Sequence, residues 1–145
     1  MNVVDIAIAT AIQYHNGQIN NHNAEPYILH VHRVAMHVRD RGLDDDHQAV
    51  AWLHDTLEDT SLTVNELNRL FEPRVVASVL ALTKQKGQSN EDYYAFLTLN
   101  PLAARVKISD IVDNFSRNHT IQDDATRLRM AAKYSLGLDI LKEVV

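Results

Sequence analysis

No cysteine occurs anywhere in the 145 residues, so disulfides and thiolate metal sites are excluded, and any metal must be held by His, Asp or Glu. Glycine and proline are scarce too, with 4 and 3 copies, while 46% of the chain is apolar. Such a chain can bury enough surface to offset its ordering entropy, which argues against disorder. Long hydrophobic runs are also missing. The longest, "VVDIAIATAI", is broken by Asp5 and falls far short of the roughly 20 residues a bilayer span needs. It lacks the basic start of a signal peptide, and the expectation is a cytoplasmic protein. Nor is there an excess of positive charge: the net charge is −5, and the 14 Lys and Arg residues are scattered. A nucleic-acid phosphate footprint is therefore excluded, whereas a small anion held by a few local cations is compatible. The expected partner is a small molecule rather than nucleic acid or membrane, and the oligomeric state leaves no signature.

Helix signals dominate the remainder, with no sustained alternation of apolar and polar residues. Helices are expected over residues 3–15, 26–41, 46–58, a short stretch after Thr63, "PRVVASVLALT", a stretch from Ser89, 101–117 and 124–143. Gly17 and Gly42 act as stops, Pro26 and Pro101 as starts, and Thr63 with Glu66 as a capping box. The length suits a single domain over residues 1–145, of all-α class, a compact multi-helix bundle.

Three segments carry chemistry. The first is "AWLHDTLEDT". On a continuous helix, Glu58, Asp55 and Asp59 lie at roughly 40°, 100° and 140° from His54, all on one side. Acidic groups at a helix C-terminus face the negative end of the macrodipole, which is unfavourable unless a cation compensates. A divalent metal is such a cation and would let His54 and Asp55 leave water. The second segment is "RVKISDIVDNFSR". Ala104, Ile108, Ile111, Val112 and Phe115 form its apolar face, opposite Lys107, Asp110, Asn114 and Arg117. Alone it is an ordinary amphipathic helix. Beside a metal, Asp110 offers a carboxylate, Asn114 an amide, and Lys107 and Arg117 charge for phosphate. The third segment, "PYILHVHRVAMHV", holds His30, His32 and His37, and spacing alone does not choose among them.

In order and separation, "PYILHVHRVA", "AWLHDTLEDT" and "VKISDIVDN" resemble the hydrolase domain of RelA/SpoT-type proteins and their small stand-alone relatives, including the metazoan SpoT homologue, within the HD-domain metal-dependent phosphohydrolases. The resemblance runs from "YHNGQ" to the seventh helix and implies a compact all-α HD-domain bundle. It implies Mn²⁺ held by His30, His54, Asp55 and Asp110, with Glu58 and Asp59 activating water and Asn114 near the bound nucleotide. Two imidazoles and two carboxylates leave positions open on an octahedral ion for water and a phosphate oxygen. Lys84 and Lys86 in "TKQKG", with Arg117, are candidate clamps for the remaining phosphate charge. One departure stands out: alarmone hydrolases commonly carry an Arg-Lys pair after the "HxxQ" stretch, and here "QINNHNAE" has no basic residue until Arg33.

The expected activity is thus removal of the 3′-pyrophosphate of guanosine tetra- or pentaphosphate by metal-bound water. An HD-type phosphohydrolase acting on another nucleotide or phosphoester is the alternative that the missing Arg-Lys pair motivates, and a catalytically silent nucleotide-binding domain is a third.

Overall fold

The structure, a computed structural model, describes residues 2–144, and its helices are built where local chemistry starts and stops them. Helix α1 spans Val3–His15, its first turn held by Asn2, whose side chain accepts from the Asp5 amide. It ends before Gly17, whose φ of 81° lies in the left-handed region that glycine adopts freely. Helix α2 runs Tyr27–Asp40 behind Pro26. Helix α3 is Asp45–Leu53, with Asp44 as N-cap accepting from the His47 amide at 3.1 Å. The next helices are α4 (Thr56–Asp59), α5 (Val64–Leu70), α6 (Pro73–Leu82) and α7 (Asn90–Leu97). Helix α8 covers Pro101–Ser116 and α9 covers Asp124–Leu141, with short 3-10 turns at Asn118–Thr120 and Lys142–Val144. Among the described residues there is no strand, only an isolated bridge between Ile19 and Pro26. No described helix is long and apolar enough to cross a membrane.

The expected helix over 46–58 is two helices. His54 Nδ1 bonds the Ala51 carbonyl at 2.6 Å, and the Thr56 hydroxyl donates to the Leu53 carbonyl at 2.7 Å. Two side chains thereby occupy the carbonyls that amides of a continuing helix would have used, so α3 ends at Leu53 and the chain turns through His54 and Asp55. Asp55 therefore precedes α4, and Glu58 and Asp59 lie within its single turn rather than at the negative end of a long helix macrodipole. Two smaller differences lie at helix ends: α8 stops at Ser116 with Arg117 as its C-cap, and α9 stops at Leu141. The capping box is half formed, since Thr63 caps the Glu66 amide while the Glu66 carboxylate accepts from Tyr14 of α1 at 2.6 Å.

Helix α3 is the axle of the fold, packed by α1, α2, α6 and α8. Ala49, Val50, Ala51, Trp52 and Leu53 are all buried. Burying each large apolar side chain contributes about 1.5–3 kcal/mol, so the chain is firmly anchored just before the His54–Asp55 turn. Helix α9 closes over α7 and α8 at Gly137, where a Cβ would meet Ile111 Cδ1 at 2.7 Å and Tyr94 Cζ at 2.8 Å. Its Met130, Lys133 and Tyr134 thereby reach the same end of the molecule as that turn.

Candidate metal centre

Three elements converge at that end. Helix α2 supplies His30, the turn after α3 supplies His54 and Asp55, and α8 supplies Asp110. One ligand atom from each lies within 4.8 Å of all the others. His30 Nε2 is 2.9 Å from Asp110 Oδ1 and 4.0 Å from Asp55 Oδ2, while His54 Nε2 is 3.0 Å from Asp55 Oδ2 and 3.2 Å from Asp110 Oδ1. Donors bound about 2.1 Å from one ion lie about 3 Å apart when adjacent and about 4 Å apart when opposite, so these separations fit a shared divalent cation.

The ring orientations agree. His54 Nδ1 faces the Ala51 carbonyl, which can only accept, so that nitrogen carries the proton and Nε2 presents its lone pair to the centre. His30 Nδ1 faces Asp113 Oδ2 at 2.8 Å, with the same result. Asp113 is held in turn by the Arg33 guanidinium, whose Nε donates to Oδ1 at 2.8 Å. Tyr27 donates its hydroxyl to Asp55. Electrostatics favour a positive centre. Burial opposes charge on Asp110, yet Lys107 and His54 hold its carboxyl well below the usual range. Burial likewise opposes charge on Asp55, and the His54 charge and hydrogen bond overcome it. Burial disfavours an imidazolium at His30, but the hydrogen bonds it donates to Asp110 and Asp113 lift its pKa to about 9.

A polar cavity of about 340 Å³ opens over the cluster. Asp55, Glu58, Asp59, Lys107, Asp110 and Asn114 line it. Glu58 Oε1 accepts from the Lys84 amide at 2.7 Å, which fixes its carboxylate. Burial, followed by the Asp55 and Glu58 charges, pushes the Asp59 carboxyl up to about 6, in the range suited to a general base near neutrality. Lys107 donates to Asp110 at 2.7 Å, and Asn114 donates to the same carboxylate at 3.2 Å. The loop between α1 and α2 forms the facing wall with Gln18, Asn20, Asn21 and His22. It is pinned by backbone bonds such as Tyr27 N to Gln18 O at 2.9 Å and carries Ala24 at φ 60°.

The expected residues do not all arrive. Lys84 places its ammonium on Asn90 at 2.7 Å and contributes its backbone amide instead. Arg117 caps α8 and is absent from the cavity lining, as is Lys86. Of the other histidines in α2, His32 packs against Trp52 with its ring tilted and His37 bonds Ser109. Asp113, Tyr27 and the three α9 residues escaped the sequence reading. Asp113 shares a helix face with Asp110 at a spacing of three, and Met130, Lys133 and Tyr134 have the three- and four-residue spacing of one face.

An all-α fold with a His-Asp cluster at the end of its central helix defines a class of divalent-metal domain. The HD domain family profile matches residues 7–94, and the chain belongs to that family, whose domain implies a divalent metal. Over 107 residues the chain is 34% identical to a guanosine-3′,5′-bis(diphosphate) 3′-pyrophosphohydrolase of Aquifex aeolicus, a match covering 68% of this chain and 15% of the relative. It is 40% identical over 80 residues to the GTP pyrophosphokinase rsh of Brucella ovis, covering 55% of this chain and 10% of that protein. The chain thus spans a small fraction of these curated relatives. A solved structure of a metazoan SpoT orthologue that hydrolyses ppGpp matches 98% of this chain and 86% of its own, with a TM-score of 0.84 and 21% identity. At that identity the likeness speaks for the fold.

Proposed function

We propose that this chain is a Mn²⁺-dependent pyrophosphohydrolase that removes the 3′-pyrophosphate of guanosine tetra- or pentaphosphate. The observation that carries the reading is the meeting of His30, His54, Asp55 and Asp110 within ligand distance beside Glu58 and Asp59. The relative from Aquifex aeolicus, named for this reaction, and the metazoan orthologue support the choice of substrate.

His30, His54, Asp55 and Asp110 would hold the ion. A bound divalent cation would supply Lewis acidity, polarising a phosphoryl oxygen and acidifying water. Asp59 takes the proton from the attacking water, and Glu58, fixed by the Lys84 amide, orients that water. A new P–O bond forms to the water oxygen, the bond from phosphorus to the ribose 3′-oxygen breaks, and that oxygen regains a proton. Lys107 holds Asp110 in place, and Asn114 offers its remaining hydrogen-bonding capacity to the ribose or leaving oxygen.

Purified protein supplied with Mn²⁺ should convert ppGpp to GDP and pyrophosphate, and Asp55→Ala should abolish the release. Metal-loaded protein that releases no pyrophosphate at high concentration overturns the assignment. The lining of Asn20, Asn21 and His22, which includes no lysine or arginine, favours a second reading, in which the same site hydrolyses another nucleotide or phosphoester. A nucleotide panel compared by phosphate release separates the two, since a strong preference for ppGpp eliminates the second.

A further inference from the structure

The cavity holds four carboxylates, Asp55, Glu58, Asp59 and Asp110, against two ammonium groups, Lys107 and Lys133. Even with a divalent cation added, such a site has no surplus positive charge for a phosphorylated ligand, and the α1–α2 loop residues that line it include no lysine or arginine. Its cations differ in availability. Lys107 is committed to Asp110 at 2.7 Å. Nearby Arg33 is committed to Glu25 and Asp113, and Lys84 to Asn90. Lys133 has no carboxylate within ion-pair distance among the described residues, although it is half-buried and stands near Lys107 and Lys84.

An ammonium in that position is held at a cost. Burial, followed by the Lys107 and Lys84 charges, disfavours its charge and pushes its pKa down, outweighing the opposing pull of the Asp110 and Glu58 carboxylates. A lysine on a helix surface can ordinarily extend to water, but Met130 and Tyr134, one turn and less away on α9, line the cavity with it. The group is therefore presented inward with its hydrogen-bonding capacity unspent. An anion entering the cavity would remove the repulsion from Lys107 and repay the desolvation.

We propose that Lys133 is the phosphate-binding cation of this site, engaging a phosphate or pyrophosphate group of the substrate from α9, in a cavity whose α1–α2 loop lining supplies no lysine or arginine. The proposal rests on the phosphohydrolase reading for its choice of ligand, and Lys133 acts as a substrate-binding group rather than a proton carrier.

The test uses the full chain loaded with Mn²⁺ and compares wild type with Lys133→Gln and Lys133→Arg. Inorganic pyrophosphate binding is measured by calorimetry, ppGpp hydrolysis by steady-state kinetics, and Mn²⁺ affinity by electron paramagnetic resonance. One charge-assisted hydrogen bond predicts that Lys133→Gln weakens pyrophosphate binding by about 10- to 100-fold. KM should rise by the same factor with a much smaller change in kcat, while Mn²⁺ affinity holds and Lys133→Arg recovers most of the loss. Pyrophosphate affinity in Lys133→Gln within about twofold of wild type overturns the proposal, as does a wild type that binds no pyrophosphate at millimolar concentration. The binding measurement decides without turnover. If wild type binds pyrophosphate through Lys133 but leaves ppGpp intact, the substrate reading falls and the anion subsite stands. Should Lys133→Gln unfold, Lys133→Met, which keeps the stem and its packing, takes its place.

Discussion

Replacing Asp113 by alanine should weaken metal binding although Asp113 is not among the four proposed ligands. Its carboxylate accepts from His30 Nδ1 at 2.8 Å and from Arg33 Nε at 2.8 Å, the first contact buried and the second partly so. Removing them has two consequences of different kinds. A buried imidazole N–H left without an acceptor costs about 1–3 kcal/mol of stability, which lowers Tm by about 2–4 °C per kcal/mol in a chain of this size. His30 also loses the partner that fixes its ring and tautomer, and partners of that kind contribute about 10- to 100-fold in metal affinity, or about 1.4–2.7 kcal/mol. Mn²⁺ titration at a temperature well below the Tm reads the second effect free of the first. Asp113→Asn separates orientation from charge, because its amide oxygen still accepts from His30 while the negative charge is gone. It should retain more affinity than Asp113→Ala. A folded Asp113→Ala protein with wild-type Mn²⁺ affinity would refute the idea that Asp113 sets the His30 ring, and with it the placing of His30 among the ligands.

Three further expectations follow from separate parts of the structure. Gly137→Ala gains about 1 kcal/mol of helix propensity but pushes a methyl to within 2.7–2.9 Å of Ile111 and the fully buried Tyr94 ring, a clash of about 1–3 kcal/mol. The ring has nowhere to go, so urea unfolding should show a net loss of about 1 kcal/mol, and a variant more stable than wild type would contradict the close approach of α9. Turnover should rise with pH through about 6, because the raised pKa of Asp59 leaves it protonated, and useless as a base, below that value. Asp59→Asn should lose that limb and about 10²–10⁴-fold in kcat, and an unaltered profile would remove Asp59 from the proton transfer. Finally, Mn²⁺ at a hundred times its Kd should add about 2.7 kcal/mol of stability that a chelator removes. Calorimetric scans should show no Mn²⁺-dependent shift in His54→Ala, and an equal shift in that variant would place the ion elsewhere.

Most helix limits were legible because the bonds that set them are local. Asn2, Asp44, Thr63, Ser89, Asn100 and Asp123 each accept from an amide three residues on, and such pairs can be read from residue type and spacing. The break at His54 was hidden in the same sequence because its signal is two side chains choosing main-chain carbonyls over solvent. His54 and Thr56 satisfy the end of α3 from within, something composition and periodicity do not register. The bonds that organise the site are long-range, with His30 and Asp113 separated by 83 positions and His54 and Asp110 by 56. No local pattern can pair them, and the choice of His30 over His32 and His37 came from the family resemblance.

What distinguishes the three histidines of α2 physically is what their second nitrogen and ring can reach. His32 lies against Trp52, and His37 is spent on Ser109, one side of a pair that also takes the Arg41 guanidinium. His30 alone of the three faces carboxylates at both ring nitrogens, Asp113 at one and Asp110 at the other. A neutral imidazole has one proton, so it can satisfy only one of those acceptors, and its remaining lone pair meets a carboxylate oxygen at 2.9 Å. Positive charge is needed there, as a second proton on the ring or as a cation between the groups, and His54 meets Asp55 and Asp110 in the same way. Protonating both rings would set two imidazolium charges side by side against the shared Asp110, whereas one divalent cation answers both rings at once, which is a stronger reason to assign a metal than the ligand types themselves.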